Sequence, residues 1–250
     1  LINVCPRRPG ERLEMVTACA ESGVKGIFTE KPFAGTLADA DTMLAACERN
    51  GVRIVVGHQK RVSAPDRHAM ELIEQGVIGE IQVIRSRGKG DHRAGGEDLV
   101  VLGPHMMDSL RMFARSDPAS VFGHVSQDGR DVNSDDVYEG AEEIGPIAGN
   151  EIGAYITFQN GIVGHFESRQ GFSDDKKDFT RSFGLEIHGT KGIISIRNSP
   201  EGELYLYPHG IWIPDEAHAK WERIHLPDWE RGPDGKPNNQ SLQLVSRYEH

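Results

Sequence analysis

The feature that most constrains this chain is an alternation in its first 62 residues. Short apolar runs, "LINVC", "GIFTE" and "VRIVVG", are separated by stretches with helical spacing. In "ERLEMVTACAESG", Leu13, Val16, Thr17 and Ala20 recur at helical intervals and Gly23 stops them. Thr36 and Asp39 form a capping box ahead of "LADADTMLAACERNG". There Leu37, Ala40, Leu44 and Cys47 predict the apolar stripe, and Gly51 closes the helix. Strands separated by helices of about ten or more residues pair in parallel, through right-handed crossovers. Residues 1–62 are therefore expected to form half of a doubly wound α/β sheet.

From about residue 63 the pattern changes. Pro65 opens "APDRHAMELIEQGVIGE" as a helix, "IQVIRSRG" reads as a strand, and "EDLVVLGPHMMDSLRMFAR" reads as a mostly apolar helical stretch. The chain then turns β-rich. Ile152, Ala154, Ile156 and Phe158 alternate with polar or amphipathic neighbours, and Asn160-Gly161 predicts a type I′ hairpin turn. "FGLEIHGTKGIISIRN" predicts a second hairpin turning at Gly189 and Gly192, and "GELYLY" adds a strand. The expectation for 63–250 is an α+β domain with a large open, mainly antiparallel sheet and helices on one face. The Gly/Pro-rich stretch 227–240 reads as loop, and the closing "SLQLVSRYEH" as a helix being entered.

Composition bears on function by exclusion. A net charge of -10 argues against a nucleic-acid or anionic-membrane binder, and no apolar run is long enough to span a bilayer. Cys5, Cys19 and Cys47 are odd in number and lack Cys-x-x-Cys spacing. They read as reduced, mostly buried thiols of an intracellular, cytoplasmic protein. No G-x-S-x-G is present, which removes serine hydrolase chemistry. His92, His124, His165 and His188 show no paired metal-ligand spacing. Asp131, Asn133, Asp135 and Glu142 fall at calcium-loop positions, but Asp136 stands where the sharp turn requires glycine, so no metal is expected.

Three strand ends or helix starts carry residues suited to chemistry. Lys31 follows the second strand in Glu30-Lys31-Pro32, and open α/β sheets bind ligands beyond the carboxyl ends of their strands. His58 follows the third strand, with Gln59, Lys60 and Arg61 forming a polar, cationic lip. His105 lies in "GGEDLVVLGPHMMDSL", with Asp108 at i+3 on the same helical face, placed to hold the ring or cap a neighbour. Each also has a plain structural reading, and in isolation that reading is the stronger. Lys31 is then a solvated cation at a strand end, and His105 a core histidine beside Met106 and Met107 satisfied by a backbone carbonyl.

Together, "TEKPFAGTLADADTMLAACERNGVRIVVGHQKR", "HAMELIEQGVIGEI", "GGEDLVVLGPHMMDSLRMF" and "EIHGTKGIISI" resemble the Gfo/Idh/MocA oxidoreductases, the family of glucose-fructose oxidoreductase and inositol dehydrogenase. The order and spacing of all four are more specific than any one motif, and the likeness covers nearly the whole chain. The resemblance implies the second half of a Rossmann domain over 1–62 and a substrate-binding and oligomerisation domain over 63–250, truncated at its end. It places Lys31 beside the nicotinamide of NAD or NADP and the substrate hydroxyl, and makes His105 the proton acceptor. Glu30, Pro32 and His58 join Lys31 at the cofactor, and Arg61 and Asp108 lie at the substrate. Pro32 sets the strand-end turn, through a cis bond as a hypothesis. The implied reaction is hydride transfer between the nicotinamide and a carbinol of a sugar, polyol or cyclitol-like substrate, in a homo-oligomer assembled through the open sheet.

Two departures stand out. The glycine-rich phosphate loop and the ribose-reading acidic residue are missing from this sequence, as if the chain began after them. Family members also commonly carry an aspartate four residues before the histidine, where this chain has Val101. Valine neither accepts a hydrogen bond nor carries charge, which predicts a less basic imidazole. Asp98 lies seven residues before His105, roughly 10.5 Å along an ideal helix, so Asp91 or a group from the second domain is the other source of a carboxylate. The rival reading is a catalytically silent relative that binds cofactor or sugar as a sensor or scaffold. A metal-dependent hydrolase is a third, and no spacing favours it.

Overall fold

The structure, a computed structural model, describes residues 1–6, 8–140, 144–170, 183–198, 202–210 and 220–226. They fall into two compact units, Leu1–His58 with Val132–Ala148, and Gln59–Asp131 with the described residues from Gly149 onward.

In the first unit β1 (Ile2–Val4), β2 (Gly26–Thr29) and β3 (Arg53–Val56) run parallel in the order β1-β2-β3, alternating with α1 (Arg12–Glu21) and α2 (Leu37–Arg49). Gly23 and Gly51, at φ 83° and 63°, take the left-handed conformation just past each helix, which a side chain would resist. Thr36 Oγ1 accepts the Asp39 amide at 3.1 Å, as the capping pattern requires. Val4, Val16, Ala20, Ile27, Met43, Ala46, Cys47 and Val52 close the core.

Three sequence expectations are corrected here. The buried stripe of α2 is Met43, Ala46 and Cys47, while Leu37 and Leu44 face solvent. A small alanine at 46 and a flexible methionine at 43 take the buried positions in this core, so side-chain size misled the reading. On α1 the buried stripe begins with Arg12, 1% exposed, whose Nη2 donates to the Pro6 carbonyl at 3.0 Å. Of the cysteines only Cys47 is buried; Cys5 is exposed and Cys19 intermediate. Residues 132–148 supply a short hairpin, β7 (Tyr138–Glu139) and β8 (Pro146–Ile147).

The second unit contains α3 (Ala64–Glu74), β4 (Ile81–Arg87), α4 (Gly96–Val101), α5 (Gly103–Ala114), β5 (Pro118–Gln127), β6 (Arg130–Asp131), β9 (Glu151–Phe158), β10 (Val163–Arg169), β11 (Gly184–Gly189), β12 (Ile193–Arg197), β13 (Glu203–Tyr207) and β14 (Glu222–Ile224). Among the described residues, nine strands form one sheet in the order β14-β13-β12-β11-β4-β10-β9-β5-β6. β4 and β10 are parallel neighbours, and the other pairs are antiparallel. Period-two alternation sends Ile84, Ile156, Phe166, Ile187, Ile194 and Ile196 to one face, where α3 and α5 pack through Ala69, Met106, Leu110 and Phe113. Burying side chains such as Phe113 and Phe166 contributes roughly 1.5–3 kcal/mol each. The opposite face carries ion pairs and aromatics, with Arg87–Glu167 at 2.5 Å and Tyr155 edge-on to His165 at 5.2 Å.

The first hairpin forms where expected, with a different turn. Gly161 is left-handed (φ 87°) but Asn160 is not, and the Gly161 amide donates to the Phe158 carbonyl at 3.0 Å. A type I turn followed by a left-handed glycine replaces type I′. Asn160 has another role, since its Nδ2 donates to the Ala114 carbonyl at the end of α5, at 2.9 Å. The stretches 227–240 and "SLQLVSRYEH" lie outside the described residues.

Candidate active site

In the first unit the chain leaves β2 and β3 at the same sheet end, because the strands are parallel. The Gly57 amide donates to the Thr29 carbonyl at 2.8 Å, extending the pairing into both exits. A Cβ at Gly57 would press on the Phe28 ring (3.2 Å) and Glu30 Oε1 (3.4 Å), so the two exits lie against each other where only glycine fits easily. Glu30 Oε2 accepts the Lys31 amide at 3.2 Å, and the Lys31–Pro32 bond is cis, as hypothesised. The structure thus brings Glu30, Lys31, Pro32 and His58 to one carboxyl edge of a parallel sheet, where open α/β folds take ligands. The polar side chains at this edge that a nicotinamide cofactor would meet are those of Glu30, Lys31 and His58.

In the second unit the helical stretch read from sequence as one piece is two helices. α4 ends and α5 begins around Leu102, because Pro104 supplies no amide hydrogen to continue the first. His105 sits in the first turn of α5, 6% exposed, with its amide donating to the Leu102 carbonyl at 3.0 Å. Asp108, one turn on, is gripped by Arg61, whose Nε lies 2.8 and 3.0 Å from the two carboxylate oxygens and whose Nη2 lies 2.8 Å from one. The two residues expected at the substrate are therefore partners of each other. Asp108 is not shown holding the His105 ring.

Lys60 departs from the cationic lip. It is 7% exposed, donating to Asp66 at 3.1 Å and to Asn198 Oδ1 at 2.8 Å. Ser63 also hydrogen-bonds the Asp66 carboxylate and caps α3. The sequence signal for this was available in Ser63-Ala64-Pro65-Asp66, which has capping-box spacing.

Neither acid considered for the missing carboxylate points to the histidine. Val101 is 3% exposed at the position itself. Asp98, fully buried, accepts Ser168 Oγ at 2.5 Å and the Lys89 amide at 3.0 Å. Burial pushes its carboxyl above the usual range, and the nearby Asp91 charge adds to this against the pull of Ser168. Asp91 pairs with Arg93 at 2.8 Å. Burial raises that carboxyl too, but the Arg93 guanidinium and amide outweigh it and hold the net value low.

The acidic loop is a capped turn. Asn133 Oδ1 accepts the Asp135 amide and Asp136 accepts the Asn133 amide, both at 2.8 Å; Glu142 lies outside the described residues. Sequence reasoning also missed a cavity of about 380 Å³ lined by Arg61, Arg111, Met112, Arg115, Ser116 and Asp117. It opens at the far end of α5 from His105, and its arginines pair with Asp108, Asp117 and Glu74. No helix among the described residues is long and apolar enough to cross a membrane.

Comparison with known proteins fits both units. Residues 2–58 match the model of an oxidoreductase family with an NAD-binding Rossmann fold, and residues 67–195 match the GFO/IDH/MocA C-terminal domain. The chain is 29% identical over 202 residues to 1,5-anhydro-D-fructose reductase of Ensifer adhaerens, covering 74% of this chain and 53% of that protein. It is 28% identical over 239 residues to the galactose/lactose metabolism regulatory protein GAL80 of Saccharomyces cerevisiae, covering 84% of this chain and 53% of that protein. The chain thus spans about half the length of these relatives. Levoglucosan dehydrogenase, solved with NADH and levoglucosan, superposes with a TM-score of 0.71 at 20% identity, over 100% of this chain and 70% of that one. A parallel Rossmann-type sheet at the strand-end lysine, followed by the matching C-terminal domain and its glycine-led histidine helix, makes this chain a member of the GFO/IDH/MocA oxidoreductase family.

Proposed function

We propose that the protein catalyses reversible hydride transfer at a carbinol of a sugar, polyol or cyclitol-like substrate, using NAD or NADP. The observation that carries this reading is Lys31 at the carboxyl edge of β2, within the stretch that matches the NAD-binding model. When bound, the nicotinamide supplies a two-electron hydride acceptor. The carbinol carbon gives up its hydride, and the hydroxyl proton passes to the His105 imidazole, leaving a carbonyl. Lys31 stabilises the negative charge that develops on the oxygen. The Arg61–Asp108 pair meets the substrate's polar groups. Phe122 and Tyr155, 75% and 43% exposed on the sheet face away from the helices, support assembly with further copies through that face.

A steady-state assay on the full-length protein, across polyols and oxidised sugars with both cofactors, tests the reading. Cofactor-dependent turnover on at least one such substrate is expected. Tight binding without turnover would favour a regulatory relative, the second reading, which draws on the likeness to GAL80 and on Val101. Val101→Asp separates the two further. Restoring the carboxylate is expected to shift the pH-rate profile of an enzyme, and an unchanged profile counts against the role given to His105.

A further inference from the structure

β4 and β10 are parallel, so the chain leaves both at one sheet end, and there a polar knot ties down the start of α4. Asp98 Oδ2 accepts Ser168 Oγ at 2.5 Å and the Lys89 amide at 3.0 Å, while Ser168 Oγ accepts the Gly95 amide at 3.2 Å. One hydroxyl therefore holds the residue before the helix and the carboxylate inside it. The Ser168 contact is in the short range of charge-assisted O–H···O⁻ bonds. Glycine makes the approach possible. A Cβ at Gly88 would overlap the Asp98 carboxylate, and one at Gly95, which is left-handed at φ 89°, would overlap the Gly149 carbonyl. The Gly96 amide adds a bond to that carbonyl at 3.1 Å.

The knot is linked to the histidine through backbone. The Leu102 amide donates to the Asp98 carbonyl at 2.9 Å, and the His105 amide donates to the Leu102 carbonyl at 3.0 Å. α4 has only six residues, too few to hold its own direction against the cost of helix nucleation. Its orientation comes from its tethers, and the buried carboxylate takes two of them. We propose that Asp98, through Ser168 and the Lys89 amide, is a positioning residue for His105: it sets the elbow between α4 and α5 and with it the placement of the imidazole. This rests on the reading of His105 as proton acceptor. Asp98 does not replace the aspartate missing at 101, because its carboxylate serves the strand ends; it acts on where the ring sits.

The test compares Asp98→Ala, Asp98→Asn, Ser168→Ala and His105→Ala in the full-length protein. Asp98→Ala is expected to lower kcat about 10–100-fold, the scale of an ångström misplacement, with substrate KM and cofactor Kd unchanged. Asp98→Asn, which keeps an accepting oxygen, recovers most of that loss. Ser168→Ala lowers kcat less, and adding it to Asp98→Ala costs nothing more, because the two act as one unit. If Asp98→Ala does not fold, the asparagine and serine variants carry the comparison. A lowered Tm with kcat and pH-rate profile intact would overturn the proposal, leaving Asp98 merely structural. Amide exchange at Leu102 and His105 reads the elbow independently of turnover. Faster exchange in Asp98→Ala is expected, and unchanged exchange overturns the positioning. Full turnover in His105→Ala overturns the proton-acceptor role instead, so the two failures are distinct.

Discussion

Lys60 and Arg61 are consecutive in sequence and have opposite fates. The lysine is 7% exposed and bound on both sides, to Asp66 in the capped start of α3 and to Asn198 just past β12. The arginine side chain keeps 46% exposure and holds Asp108 with a bidentate fork. Both are ion pairs within hydrogen-bonding distance, yet their removal has different consequences. A buried pair is costly to break because the survivor stays uncompensated in a low-dielectric site. The Arg61 pair is open to water on the arginine side only, with Asp108 at 11% exposure, so it gives up less on loss than the Lys60 pair. The comparison separates cations that hold the fold from cations that can serve a site, and sequence presents them as one lip.

The largest expected effect is Lys60→Met, which leaves Asp66 buried and unpaired and is predicted to cost about 3–5 kcal/mol in urea unfolding. Lys60→Met combined with Asp66→Leu should recover most of it, and a single variant no worse than Arg61→Ala would break the comparison. Gly88→Ala comes next. Its new methyl overlaps the Asp98 carboxylate, so a loss of about 1–3 kcal/mol is expected by the same measurement.

Asp98 should also leave a signature in pH. Its folded-state pKa is raised, so as pH rises the unfolded chain loses this proton first. The group's contribution to stability is greatest in acid and declines with rising pH until the folded carboxyl ionises as well. Asp98→Asn removes that slope. Unfolding curves collected through the acid range should therefore show the variant losing less stability than the parent as pH rises. Smallest of all is Arg61→Ala, which leaves the mostly buried Asp108 carboxylate without its guanidinium and is expected to cost about 1–2 kcal/mol while raising substrate KM. A large loss of stability with KM unchanged would place Arg61 with Lys60.

Much of the fold was legible because it rests on periodicity. Helical and alternating patterns gave the three-stranded parallel sheet, the apolar face of the larger sheet and the hairpin at Gly161. What sequence hid depends on partners far away along the chain. Asn198 commits Lys60 from 138 residues downstream, and Ser168 commits Asp98 from 70 residues downstream. Within α2 the error was one of size, since Ala46 is buried and Leu37 is not. The break at Leu102 was signalled locally by Gly103-Pro104 and masked by the apolar run around it. The candidate residues themselves came through family resemblance. In isolation Lys31 and His105 look like ordinary strand-end and core residues, and the carboxylate at 101 that would have distinguished the histidine is a valine.

The central claim is that His105 accepts the substrate's hydroxyl proton, and the direct measurement is kcat for His105→Ala on a substrate that the full-length protein turns over, with cofactor affinity determined alongside. The account predicts a fall of about 10²–10⁴-fold, the contribution of a positioned acid–base group, with cofactor affinity unchanged. Full turnover by the alanine variant would contradict it.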